Sequence, residues 1–237
     1  ILEAGAIAPL VKLLDGTDTQ KEIAAGGLWI LANNNPDNQK AIIEAGAIEP
    51  LVKLLDGTDT QKEIAARAFW DLAVNQVNTI AIVKAGAIEP LVKLLDGTDR
   101  QKENAAGALM NLSVNPENRV AVVNAGAIAP LVKLLDGTDR QKENAAGALM
   151  NLAANPDNQK AIIEAGAIDP LVTLLKEGEN TQKRYAAGVL KNLANNNPDN
   201  QKAFEEIKSL VTLMKGTDRQ KDIAARALRN FKWIQSI

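Results

Sequence analysis

The stretch AGAIEPLVKLLDGTDRQKENAAGALMNL, residues 85–112, decides the fold. Just before it, Asn78 to Lys84 reads as a short helix that Gly86 stops. Pro90 then sits where a second helix can begin, because first-turn N–H groups have no intrahelical partner. Leu91, Val92, Leu94 and Leu95 form an apolar stripe at helical spacing. Gly97 is expected to be a left-handed C-cap and Asp99 the N-cap of a third helix. In other units Thr60-x-x-Glu63 is expected to form a capping box. The third helix runs through Ala105, Ala106, Ala108, Leu109 and Leu112. It should end near Asn115-Pro116, since the residue before proline avoids the helical region.

Working outward, the same signals return. Ala-Gly-Ala-Ile recurs with its glycine at 5, 46, 86, 126 and 166, and Leu-Leu-Asp-Gly-Thr-Asp with its glycine at 16, 57, 97 and 137. Altered copies place glycines at 178 and 216. Repeats three and four restate each other from Pro90–Leu112 to Pro130–Leu152. A period near 40 marks a solenoid or a propeller. A propeller blade needs four strands with period-two alternation, and none is present. The chain therefore reads as all-α, one domain over 1–237. It holds about six three-helix repeats at 1–33, 34–74, 75–114, 115–154, 155–195 and 196–237, the first truncated and the last an atypical cap.

Composition narrows the chemistry. There is no Cys and no His among 237 residues. This excludes disulfides, Cys/His zinc sites, and catalysis by a His base or Cys nucleophile. No metal or other cofactor is expected. Net charge is -2, against the basic footprint of nucleic-acid binders. No apolar run approaches the ~20 residues of a membrane span. Neither nucleic acid nor membrane is expected as a partner. Only seven aromatics occur, so the core must be aliphatic. Asn111-Leu112-Ser113 matches a glycosylation sequon, but it falls mid-helix and reads as chance.

Gly-Ala-Ile before the second helix, and Ala-Ala-Gly-Ala-Leu-x-Asn-Leu in the third, resemble the armadillo repeat in its plant-type and beta-catenin-like forms. The resemblance covers essentially the whole chain. It implies a right-handed superhelix whose third helices line a groove for extended peptides. It also implies that a third-helix asparagine pairs with the ligand backbone. The matching positions are Ile30, Asp71, Asn111, Asn151, Asn192 and Asn230, so the asparagine row holds only from repeat three. Four residues earlier, where nuclear-import receptors carry tryptophan, stand Gly26, Arg67, Gly107, Gly147, Gly188 and Arg226. Binding of a nuclear-localisation signal is therefore not expected.

Two further rows vary between copies while the framework stays constant. One reads Trp29, Trp70, Met110, Met150, Lys191 and Arg229, just before the asparagine position. The other reads Ile23, Ile64, Asn104, Asn144, Tyr185 and Ile223. Aromatics and arginine are typical binding anchors. The asparagines could instead bridge neighbouring repeats, the tryptophans could be packing, and Arg67 could pair with Asp71 one turn away. Phe69 stands at the Leu109 position and is expected in the core.

The expected function is a non-catalytic interaction module for an extended protein segment, acidic with one apolar anchor. Lys191, Arg226 and Arg229 are basic, whereas Trp29, Ile30 and Trp70 are apolar. The alternatives are a scaffold that self-associates through its ends, or an engineered, idealised array without a cellular role. The resemblance and the lack of export features imply a cytoplasmic or nuclear location.

Overall fold

The computed structural model describes residues 5–195. Arg226, Arg229, Asn230 and the rest of the sixth repeat lie outside the described residues, as does the closing segment from Phe231. Among the described residues every regular element is helical. None of the described helices is by itself both long and apolar enough to cross a membrane. Two compact units are present, residues 1–130 and 131–237.

The first unit contains α1 (Ile7–Leu13), α2 (Asp18–Ala32), α3 (Pro36–Glu44), α4 (Ile48–Leu54), α5 (Asp59–Leu72), α6 (Gln76–Lys84), α7 (Ile88–Lys93), α8 (Asp99–Leu112) and α9 (Pro116–Asn124). The boundary between the units falls inside α10 (Ile128–Lys133). The second unit continues with α11 (Asp139–Ala153), α12 (Pro156–Glu164), α13 (Ile168–Glu177) and α14 (Asn180–Asn195).

Local chemistry explains each element. The first helix of a repeat is capped by Asn35, Asn75 or Asn115, whose side chain accepts a backbone N–H of the first turn. It ends in a Schellman turn. At Gly46, φ is +82°, the Gly46 N–H reaches Ile43 O at 3.0 Å and the Ala47 N–H reaches Ile42 O at 3.3 Å. The second helix starts directly afterwards. Pro50 and Pro90 stand in its first turn, where no N–H is required. Leu91, Val92, Leu94 and Leu95 are all buried, as the stripe predicts.

Three local expectations are corrected. The N-cap of the third helix is Thr98, one residue before Asp99, because Thr98 has extended backbone (φ -66°, ψ 164°) and Asp99 is already helical. The capping box pairs Thr58 with Gln61, not Thr60 with Glu63. Gly97 is not left-handed, with φ at -82°. Its lack of a side chain serves packing: a Cβ there would collide with Gln101 Oε1, which folds back to accept the Thr98 N–H at 3.1 Å.

The third helices of the first unit pack side by side, α2 on α5 and α5 on α8. Alanine pairs at 24–25, 65–66 and 105–106 are fully buried between them, with Leu28, Phe69 and Leu109. Polar bonds join consecutive N-terminal ends. Gln61 Nε2 donates to Asp18 Oδ1 (3.0 Å) and Gln101 Nε2 to Asp59 Oδ1 (3.1 Å). Thr58 and Thr98 hydroxyls donate to Glu22 (3.1 Å) and Glu63 (3.0 Å). At the opposite ends, Asn38, Asn78 and Asn118 donate to the last-turn carbonyls of Leu31, Leu72 and Leu112. Along α1, Ile7 is buried while Leu10 and Val11 are half-buried. Ser113 of the sequon is buried, its hydroxyl bonded to Leu109 O.

The second unit repeats this plan. Here α11 and α13 both pack on α14. Gln182 Nε2 donates to Asp139 O at 3.0 Å, and Gln159 Nε2 bridges Ala153 O (3.1 Å) and Asn192 O (2.9 Å).

Candidate functional site

Among the described residues the third helices carry the expected site residues, and asparagines of the row have partners within the chain. Asn111 Nδ2 donates to Trp70 O at 2.9 Å, and Asn192 Nδ2 donates to Met150 O at 3.1 Å. Each receiving carbonyl lies near the C-terminus of the preceding third helix, where carbonyls lack helical partners. An amide has two N–H donors and an oxygen with two lone pairs. One bond holds it in place and leaves Oδ1 and a second N–H for other partners. Both residues are half-exposed.

Repeats one and two differ. Ile30 stands at the row position with 67 % exposure, and Ile23, two turns earlier on the same face, has 65 %. Asp71 is buried and bonded twice, by Arg67 Nε at 3.2 Å and Asn33 Nδ2 at 3.4 Å. Arg67 lies over two indoles, its Cζ 4.3 Å from the Trp70 ring centroid and 5.6 Å from that of Trp29. The Trp29 Nε1–H is buried and has no acceptor.

Asn104 Nδ2 donates to Glu63 O at 3.0 Å. Asn144 is buried and Asn151 half-buried. In the second unit Tyr185 is half-buried beside Arg184, 5.1 Å from the ring centroid, and Lys191 is exposed. The first unit also has a cavity of about 380 Å³ between Trp29, Ile64, Arg67 and Asn104, rimmed by Glu63, Arg100 and Glu103.

Residues 35–74, 75–114, 115–154 and 155–195 each match the family model of the Armadillo/beta-catenin-like repeat, together over half of the chain. The chain belongs to the armadillo-repeat family. Solved structures agree with this armadillo assignment. A crystal structure of an engineered protein is 39 % identical, with TM-score 0.80, covering 97 % of each chain. A designed armadillo repeat protein is 32 % identical, with TM-score 0.81, covering 94 % of this chain and 98 % of its own. Another, determined in complex with the peptide (KR)4, is 31 % identical, with TM-score 0.78, covering 94 % of this chain and 99 % of its own. A comparison with curated proteins finds no match.

The armadillo geometry also shows what reading one row at a time missed. The residue before the asparagine position packs onto the glycine-row position of the next repeat. A Cβ at Gly107 would stand 2.5 Å from Trp70 Cε2, and one at Gly188 2.5 Å from Met150 Sδ. The offset is the local repeat period less three residues, so aligning the rows with that shift exposes it.

Two glycine substitutions in this row should therefore act in opposite directions. At Gly26 a Cβ meets nothing within 4 Å. Gly26→Ala should raise stability by about 0.5–1 kcal/mol through helix propensity alone. At Gly107 the same gain is outweighed by overpacking against the Trp70 ring, and Gly107→Ala should lower stability by about 1–2 kcal/mol. Urea denaturation of the two variants checks both signs.

Proposed function

We propose that the chain is a non-catalytic interaction module that binds an extended protein segment along the third-helix face. The observation carrying this reading is the amide of Asn111. It is anchored by one hydrogen bond to the preceding helix and retains an acceptor and a donor on a half-exposed side chain. That pair matches the N–H and C=O of an extended backbone, which supplies affinity with little dependence on sequence. The designed relative in complex with (KR)4 supports the reading, as does a second described as made for modular peptide recognition.

For selectivity, we infer an apolar anchor on Ile23 and Ile30, which stand exposed on one face of α2. An acidic stretch would suit Lys191 together with Arg226 and Arg229. Titration of acidic, basic and apolar peptides by tryptophan fluorescence tests this, with light scattering alongside. Asn111→Ala should weaken binding of the preferred class about fivefold or more, the worth of roughly 1 kcal/mol of hydrogen bonding. It should also cost stability by about as much, because the Trp70 carbonyl loses its donor. Unchanged affinity in a folded variant would reject backbone pairing. Mass that grows with protein concentration in the absence of binding would favour the self-associating scaffold.

A second reading is favoured by the designed and engineered neighbours and by the restated sequence of repeats three and four. In it the chain is an idealised array, and the groove is a generic peptide-binding surface.

A further inference from the structure

One cation of the first unit is enclosed as a ligand side chain would be. The Arg67 guanidinium lies against the Trp29 and Trp70 rings, with Cζ at 5.6 and 4.3 Å from their centroids. Its Nε donates to Asp71 Oδ2 at 3.2 Å. Two aromatic faces and a carboxylate form a complete recognition set for a planar, weakly hydrated cation. The set is itself positioned, since Asn33 Nδ2 of the first repeat holds the other carboxylate oxygen of Asp71. The buried, unpartnered Trp29 Nε1–H shows that this ring is placed by its faces and not by a hydrogen bond at its edge. Nor does the repeat require an arginine here, because the same row carries Gly26, Gly107, Gly147 and Gly188, with a second arginine only at Arg226.

We propose that Trp29, Trp70 and Asp71 form a guanidinium-binding slot, which Arg67 fills from within the chain. The N-terminal part of the groove is thereby self-occupied and closed to an arginine side chain of a ligand. The slot does not depend on backbone pairing by the asparagines, so its test is separate from that of the peptide reading.

The variant must open the slot without letting it collapse. With glycine at position 67, Trp29 could settle on the helix backbone as Trp70 does on Gly107. A Cβ excludes that placement of the ring, as the Gly107 geometry shows. Arg67→Ala therefore leaves the rings apart and the space between them free.

The probe is methylguanidinium, titrated into the full chain and into Arg67→Ala. Tryptophan fluorescence and Tm are the readouts, and methylammonium at equal ionic strength is the control. Arg67→Ala should respond saturably, with at least about tenfold higher affinity than the parent chain, whose tethered Arg67 outcompetes a free cation. Methylammonium should give a weaker response, since it lacks the planar face. Equal responses from the parent and the folded variant would overturn the proposal. So would equal responses to the two cations. Should Arg67→Ala not fold alone, recovery of helical circular dichroism in methylguanidinium supports the slot, and failure to recover overturns it.

Discussion

Phe69→Ala should lower the free energy of unfolding by about 3–5 kcal/mol, the range for truncating a buried aromatic when the cavity does not collapse. Phe69 is fully buried on α5, the middle of the three third helices packed in the first unit. The alanines at 65, 66 and 68 beside it are equally inaccessible. Short side chains of this kind cannot swing into the void, so little of the cost is recovered by relaxation. The remaining copies define the control. Leu28, Leu109, Leu149 and Leu190 occupy the same position and are buried in the same way. Phe69→Leu should therefore cost only about 1 kcal/mol, as a swap of similar shape does. Urea denaturation followed by far-ultraviolet circular dichroism distinguishes the two. A loss below about 2 kcal/mol for the alanine variant would show that the neighbouring helices close over the gap.

Gln101→Leu should cost about 2–4 kcal/mol, although it puts an apolar side chain of similar size in a buried place. Gln101 is 2 % exposed and works at both ends of its amide. Its Oε1 accepts the Thr98 N–H at 3.1 Å, completing the capping box of α8. Its Nε2 donates to Asp59 Oδ1 at 3.1 Å and to Asp59 O at 3.4 Å on the preceding third helix. Leucine removes these bonds, leaving the Thr98 N–H without its cap and Asp59 Oδ1 with only the Lys62 ammonium, 3.8 Å away. The apolar transfer gain of one side chain, about 1.5–3 kcal/mol at most, starts from an amide already buried and fully bonded, and so offsets only part of the loss. Thermal unfolding of the variant checks the magnitude. A shift no larger than that of an exposed substitution would mean that water takes over the bonds.

The local signals were legible because they act within one helix or turn. Gly86 announces the stop of the first helix, Pro90 the start of the second, and the leucine stripe of the second helix its buried face. The errors were also local and small. Thr98 and Asp99 are both acceptable caps in composition, and only the backbone angles decide between them. Gly97 was read as a left-handed residue when the demand on it comes from a neighbouring amide.

The candidate site was legible as rows and not as contacts. The asparagine row identified Asn111 and Asn192, and the pairing of Arg67 with Asp71 followed from their one-turn separation. That the amide of Asn111 ties back to Trp70 O, that Trp70 rests on Gly107, and that Arg67 sits against two indoles all required the tertiary structure.

By itself, the 40-residue period with its punctuation of Gly and Pro determined a helical repeat array and the buried stripe of its second helices. The tertiary structure decided which side chain of one repeat meets which position of the next. The physical reason is that helix formation and capping depend on residues a few positions apart. The axial and rotational offset between stacked helices is set by close packing of side chains some 40 positions apart, and periodicity leaves that offset unspecified.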